Sequence, residues 1–118
     1  MADAALFIGW GQVVRGREER ALKVFNESVA YWGRLQGDGK IEDFETVLLS
    51  PHGGDLAGFA LLRGSAEQIA ALRDDEEFQQ RTSHVDMIVD NQGVVDAVIN
   101  EGIARATGQY QKAAAELG

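Results

Sequence analysis

Histidine is the side chain that titrates near neutral pH without help from its surroundings, and the chain has two, His52 and His84. His84 falls near the end of a helical stretch. It is read there as the general base of a small-molecule site, or as a helix-end histidine in solvent beside Asp86. His52 falls among Gly53 and Gly54 in a loop, the kind of segment that often carries function. Neither histidine has a partner at the i,i+4 spacing of helical metal ligands, and there is no cysteine, so no metal site is expected. Trp10 stands between Gly9 and Gly11, and strand glycines let a ligand or another backbone come close. Its indole is read either as the wall of a pocket or as filling for the core. Arg15 ends a strand before a glycine and a helix, and so does Arg63. A guanidinium in that place either anchors a carboxylate ligand or pairs with a nearby Glu18, Glu19 or Glu67. Tyr31 and Trp32 are consecutive on a helix and point apart, which sends Trp32 to the core and Tyr31 to the rim of a cleft. The candidate site is therefore His84 as catalytic residue, with Trp10, Arg15 and Tyr31 binding substrate, no metal and no cofactor. Glu42, Asp43 and Glu45 read as exposed strand charges that discourage aggregation. No glycine-rich phosphate loop and no nucleophile elbow is present.

The elements that must position these residues come in two echoing halves. Gly9-Trp10 leads through an apolar strand to Arg15-Gly16 and a helix, and Gly58-Phe59 leads through another to Arg63-Gly64 and a helix. Ala5 to Val14 is strand-like, with Leu6, Ile8 and Trp10 on one face and Phe7 and Val13 on the other. A helix is expected over Arg17 to Gln36, because Leu22, Phe25, Val29, Trp32 and Leu35 recur at three- and four-residue spacing. Gly37 stands where a helix commonly ends in the left-handed conformation. Ile41 to Ser50 is the second strand. Pro51-His52-Gly53-Gly54-Asp55 is a hairpin loop, and Leu56 to Arg63 is the third strand. Ser65 and Gln68 form a capping-box pattern. Asp74-Asp75-Glu76-Glu77 then breaks the second helix and starts a short one carrying Phe78. A fourth strand is expected within Val85 to Ile99, whole or in two pieces around Asn91-Gln92-Gly93. Ile103, Ala106, Tyr110, Ala113 and Leu117 share one face of a C-terminal helix over about 101–117.

Composition narrows the function classes. An apolar content of 45% and a charged content of 25% over 118 residues suit a single globular domain spanning 1–118 with one core. A net charge of −8 works against binding nucleic acid, which needs clustered cations to displace phosphate counterions. The N-terminus has no basic region before its short apolar run, and no apolar stretch approaches the roughly 20 residues of a membrane helix. With no cysteine, a cytoplasmic protein without membrane or nucleic-acid partners is expected.

A β-α-β-β-α-β order closed by one hairpin gives an α+β ferredoxin-like plait, an antiparallel sheet with both crossover helices on one face. The other face carries large apolar residues as well. Burying each is worth about 1.5–3 kcal/mol against a typical total stability of about 5–15 kcal/mol, so something should cover them. The two candidates are a second copy of the chain, which is the favoured one, and the C-terminal helix folded beneath its own sheet.

The element order, the Arg-Gly-Ser-Ala-Glu run at Arg63 to Glu67 and the Asp-Asp-Glu-Glu-Phe break at Asp74 to Phe78 resemble the dimeric α+β barrel superfamily. The resemblance covers about residues 5–99, the C-terminal helix being an addition. It implies a homodimer joined through the sheet faces, with small clefts between sheet and helices. Its members include antibiotic-biosynthesis-type monooxygenases, haem-degrading enzymes, lactone isomerases and proteins with no assigned role. The first strand here lacks the asparagine of the haem-degrading branch, and Phe78 and His84 lie farther apart than that branch's phenylalanine and histidine. The expected function is an uncharacterised small-molecule-handling or interaction domain. The alternative is a cofactor-independent monooxygenase or isomerase acting on a small phenolic or acidic compound, with Trp10 as wall, His84 as base and Arg15 as anchor. Under a purely structural reading the C-terminal helix docks a partner through Tyr110.

Overall fold

One hairpin and two helical crossovers place four strands in one antiparallel sheet, whose order by position in the chain is second, third, first, fourth. The computed structural model describes residues 2–118. In chain order the elements are β1 (Ala4–Trp10), α1 (Glu18–Gly37), β2 (Asp43–Leu48), β3 (Gly58–Gly64), α2 (Ala66–Arg73), α3 (Glu76–Asp86), β4 (Gly93–Val98) and α4 (Glu101–Leu117). This is the α+β ferredoxin-like plait that the duplicated pattern predicts.

The helix caps are those of the sequence. Ser65 Oγ accepts from the Gln68 N–H at 3.1 Å and Gln68 Oε1 accepts from the Ser65 N–H at 2.8 Å, which closes the capping box of α2. Asp75 then caps α3, its carboxylate accepting from the Phe78 N–H at 3.0 Å. The helix pair is broken where four acidic residues in a row favour a new helix start over continuation. Several boundaries differ from the sequence pattern: β2 spans Asp43–Leu48 instead of Ile41 to Ser50, and β3 begins at Gly58 instead of Leu56. β1 stops at Trp10 instead of Val14, because Gly11 donates its N–H to the Asp90 carbonyl and Asp90 donates to the Gln12 carbonyl, which draws the chain away from β3. α1 runs through Gly37, and the left-handed residue is Gly39, at φ +74°.

One face of the sheet makes the core. Leu6, Ile8, Ala60 and Leu62 meet Trp32 and Leu35 of α1, Ile69 and Leu72 of α2, and Phe78 of α3. The fourth strand is a single piece, paired with β1 from Gly9↔Gly93 to Ala4↔Val98. Arg73 ties it to α2, its Nε 2.8 Å from Asp96 Oδ1.

The opposite face carries Phe7, Val47, Phe59, Leu61 and Val95. Phe7 and Phe59 stack with ring centroids 5.1 Å apart, and Val95 is exposed. The C-terminal helix does not fold beneath this face. Its base is pinned by Asn100, whose side-chain amide donates to the Ala2 carbonyl at 2.6 Å, and by an Arg105–Asp3 ion pair. Ile103, Tyr110 and Leu117 of this helix are all exposed.

Candidate functional site

The apolar stripe that helical spacing draws along α1 divides in two. Trp32 and Leu35 are buried, but Leu22 is 63% exposed and Phe25 is only half-buried. The helix lies close on the sheet at its C-terminal half and stands away from it at its start. Ala21, Ile88 and Val89 prop that start, forming a second small core with Trp10, Val24 and Val85. The space left between is a cleft of about 370 Å³. Ile8 and Trp10 of β1 and Leu48 of β2 form its floor, Leu22, Phe25 and Trp32 of α1 form one wall, and Val85, Ile88 and Val89 form the other.

Trp10 governs its shape. Its indole meets Phe25 edge to face at 6.2 Å and 70°, a favoured arrangement of aromatic quadrupoles. It also covers Gly58 on the neighbouring strand, where an added Cβ would come within 2.8 Å of Trp10 Cζ2 and of the Val47 carbonyl oxygen. Gly58 is therefore the glycine that seats the indole. Gly9 and Gly11, which flank Trp10 in sequence, give room elsewhere: Phe7 fills the space at Gly9, and the carbonyls of Asp90 and Asp55 fill it at Gly11.

Polar groups on the lining are few. Ser28 is buried and its hydroxyl donates to the Val24 carbonyl at 2.8 Å, within its own helix. Glu18 stands exposed at the rim, one carboxylate oxygen accepting from the Gly16 N–H at 3.0 Å. Among the described residues no other titratable side chain lines the cleft.

Of the four candidate residues, Trp10 lines this cleft and three do not. His84 is exposed on the last turn of α3, and Arg15 is exposed in the loop after β1. Tyr31 departs from its expected place at a rim. It is 3% exposed, wedged between α1 and α3, with the guanidinium groups of Arg81 and Arg34 at 4.7 and 5.5 Å from its ring centre. Glu77 binds both arginines, at 3.1 and 3.3 Å. Burial, with Asp75 and Glu77 adding to it, pushes the Tyr31 phenol up to about 12. Arg63 lies on the open sheet face, paired with Asp43 at 3.3 Å and with Glu45. His52 braces its own hairpin, with Nε2 2.8 Å from the Leu56 carbonyl oxygen and Nδ1 accepting from the Gly54 N–H at 3.1 Å. Among the described residues no group of three His, Cys, Asp or Glu side chains is placed to hold a metal ion.

No family model and no curated relative matches the sequence. Solved structures do match the fold. A dimeric protein of unknown function and ferredoxin-like fold from Bacteroides fragilis superposes with a TM-score of 0.58 at 15% identity, over 81% of this chain and 96% of that one. The chain has the ferredoxin-like fold. A hydroxynitrile lyase from Passiflora edulis superposes on the same fold with a TM-score of 0.63 at 12% identity, over 86% and 97% of the two chains. The cofactor-independent oxygenase SnoaB from Streptomyces nogalater does so with 0.52 at 14% identity, over 84% and 93%. At such identities the likeness is one of fold, which hosts many chemistries. Among the described residues no helix is long and apolar enough to cross a membrane.

Proposed function

We propose that this chain is a small-molecule-handling domain that holds an apolar compound in the cleft between β1, α1 and the segment after α3, and that it works as a homodimer paired through the open sheet face. The observation that carries this reading is that Trp10, Phe25 and Trp32 line space that the protein itself leaves unfilled. Interiors normally pack to the density of organic crystals, so an aromatic-walled opening of this size favours a ligand site. The pairing is supported by the apolar face of Phe7, Phe59, Leu61 and Val95, which α4 leaves uncovered, and by the dimeric ferredoxin-like neighbour. An oxygenase or isomerase acting in this cleft needs a proton acceptor there, and Glu18 is the titratable side chain on the lining.

The test is titration with N-phenyl-1-naphthylamine, an uncharged probe that brightens in apolar surroundings. Saturable binding at about one probe per chain is expected, with matching quenching of Trp10 and Trp32, the chain's two tryptophans. Val24→Phe, which pushes a ring into the opening, is expected to weaken binding about tenfold or more while the protein stays folded. Absence of saturable binding, or equal binding by this variant, would refute the reading.

A further inference from the structure

Resting on that reading, we infer that the cleft selects by charge, taking uncharged or amine-bearing apolar molecules and turning carboxylates away. Apart from the two indole N–H groups, every polar side-chain group on the lining is an acceptor. With its proton on the Val24 carbonyl, the Ser28 hydroxyl offers only lone pairs. Glu18 offers a carboxylate at the rim, and its one bond to the Gly16 N–H leaves acceptor capacity free. Among the described residues no lysine, arginine or histidine lines the cleft. Arg17, Arg20 and Lys23 lie with Glu18 and Glu19 along a shallow groove over the start of α1, and Arg15 is exposed in the preceding loop. None of these cations is on the cleft lining.

A carboxylate buried against such a wall would lose its hydration with no countercharge to replace it, and near the rim it would meet Glu18. An alcohol or amine meets the reverse situation. Its apolar body lies on Trp10, Phe25 and Trp32, while its N–H or O–H finds Ser28 or Glu18 as acceptor. An ammonium has a further advantage over aromatic faces, which attract cations. The acidic ligand suggested by Arg15 in the sequence has no cation to receive it in this cleft.

Three compounds with one ring system test this: 2-naphthalenemethanol, 2-naphthylmethylamine and 2-naphthoate, each used to displace N-phenyl-1-naphthylamine at pH 7. The alcohol and the amine are expected to displace it, and the naphthoate to bind about tenfold or more weakly than the alcohol. In Glu18→Gln the amine is expected to lose roughly twofold to fivefold against the alcohol, whose own affinity holds. Naphthoate binding as tightly as the alcohol, with the probe still bound, overturns the charge selection and leaves the cleft standing. An amine-to-alcohol ratio unchanged in Glu18→Gln overturns the role of the rim carboxylate. Failure of the probe and all three compounds to bind overturns the ligand site itself.

Discussion

The Trp10 indole lies over Gly58, so closely that a methyl group at position 58 would stand 2.8 Å from Trp10 Cζ2 and equally close to the Val47 carbonyl oxygen. An indole alone can swing aside, but the Val47 oxygen belongs to the backbone of the adjacent strand. Gly58→Ala must therefore move both the floor of the cleft and the pairing of β2 with β3. A loss of about 1–3 kcal/mol in chemical denaturation is expected, as for other overpacked sites, together with a shift in tryptophan emission and weaker probe binding. Wild-type stability and emission in this variant would show that the indole is not held by this contact.

Tyr31 carries a buried hydroxyl with no hydrogen-bond partner among the described residues. Its ring is the useful part, since Arg81 and Arg34 lie against it and a phenylalanine would keep that packing. Tyr31→Phe is expected to raise stability by up to about 1–3 kcal/mol, because an unpaired buried hydroxyl is a cost the apolar ring does not bear. The pH dependence follows from the phenol's rise from 10.0 to about 12 on folding. A proton held more tightly in the folded state adds stability in full below pH 10 and loses it as pH climbs to about 12. Denaturation midpoints measured across that interval should fall in the wild type and flatten in the variant. A variant that is less stable at pH 7 would mean that the hydroxyl has a partner in solution.

The sequence disclosed the plait and its caps because those signals are local. Ser65 with Gln68, and Asp75 with its acidic turn, need only their own residues to act, and both form as read. The cleft was harder to see. Leu22 and Phe25 fit the same helical stripe as Trp32 and Leu35, and periodicity cannot tell a wall beside open space from a wall against a sheet. That depends on Ala21, Ile88 and Val89, which prop the start of α1 and come together only in the fold. Tyr31 was misplaced for a related reason. It points away from the sheet-facing stripe, yet α3 folds over that side, and only its Arg34–Glu77–Arg81 contacts reveal the cover. Trp10 was recognised through its glycines, although the glycine that seats it is 48 positions along the chain from it, at Gly58.

Asp3 holds the base of α4 through Arg105, and that hydrogen bond keeps its carboxyl below the ordinary value of 3.8. A carboxyl whose pKa is lowered by folding adds its share above that ordinary value and gives it up as pH falls through the folded one. The start of the helix is tied to the body by this pair, by Asn100 and by the close seat of Gly102 on the Asp3 carbonyl. Asp3→Asn at pH 7 is expected to speed amide exchange over residues 103–117 while β1 and β3 keep their protection. Wild-type protein taken below pH 3.8 should show the same local change first. Unaltered exchange in α4 would mean that Asn100 and Gly102 suffice to seat it.

Leu61 stands across from Phe7 in the β1–β3 register, on the face that no crossover helix touches, with Phe59 and Val95 beside it. If two copies join here, a carboxylate in the middle of the seam must lose its water without a partner, whereas in a monomer it would simply face solvent. Leu61→Glu thus separates pairing from folding. The wild type is expected to run in light scattering at twice the chain mass of 12.8 kDa, and the variant at the chain mass, with an unchanged circular dichroism spectrum. Val95→Glu, on the neighbouring strand of the same face, should repeat the result, which guards against a local fault at position 61. A wild-type protein that is already a monomer would remove the sheet face from the account and leave the cleft to stand on its own.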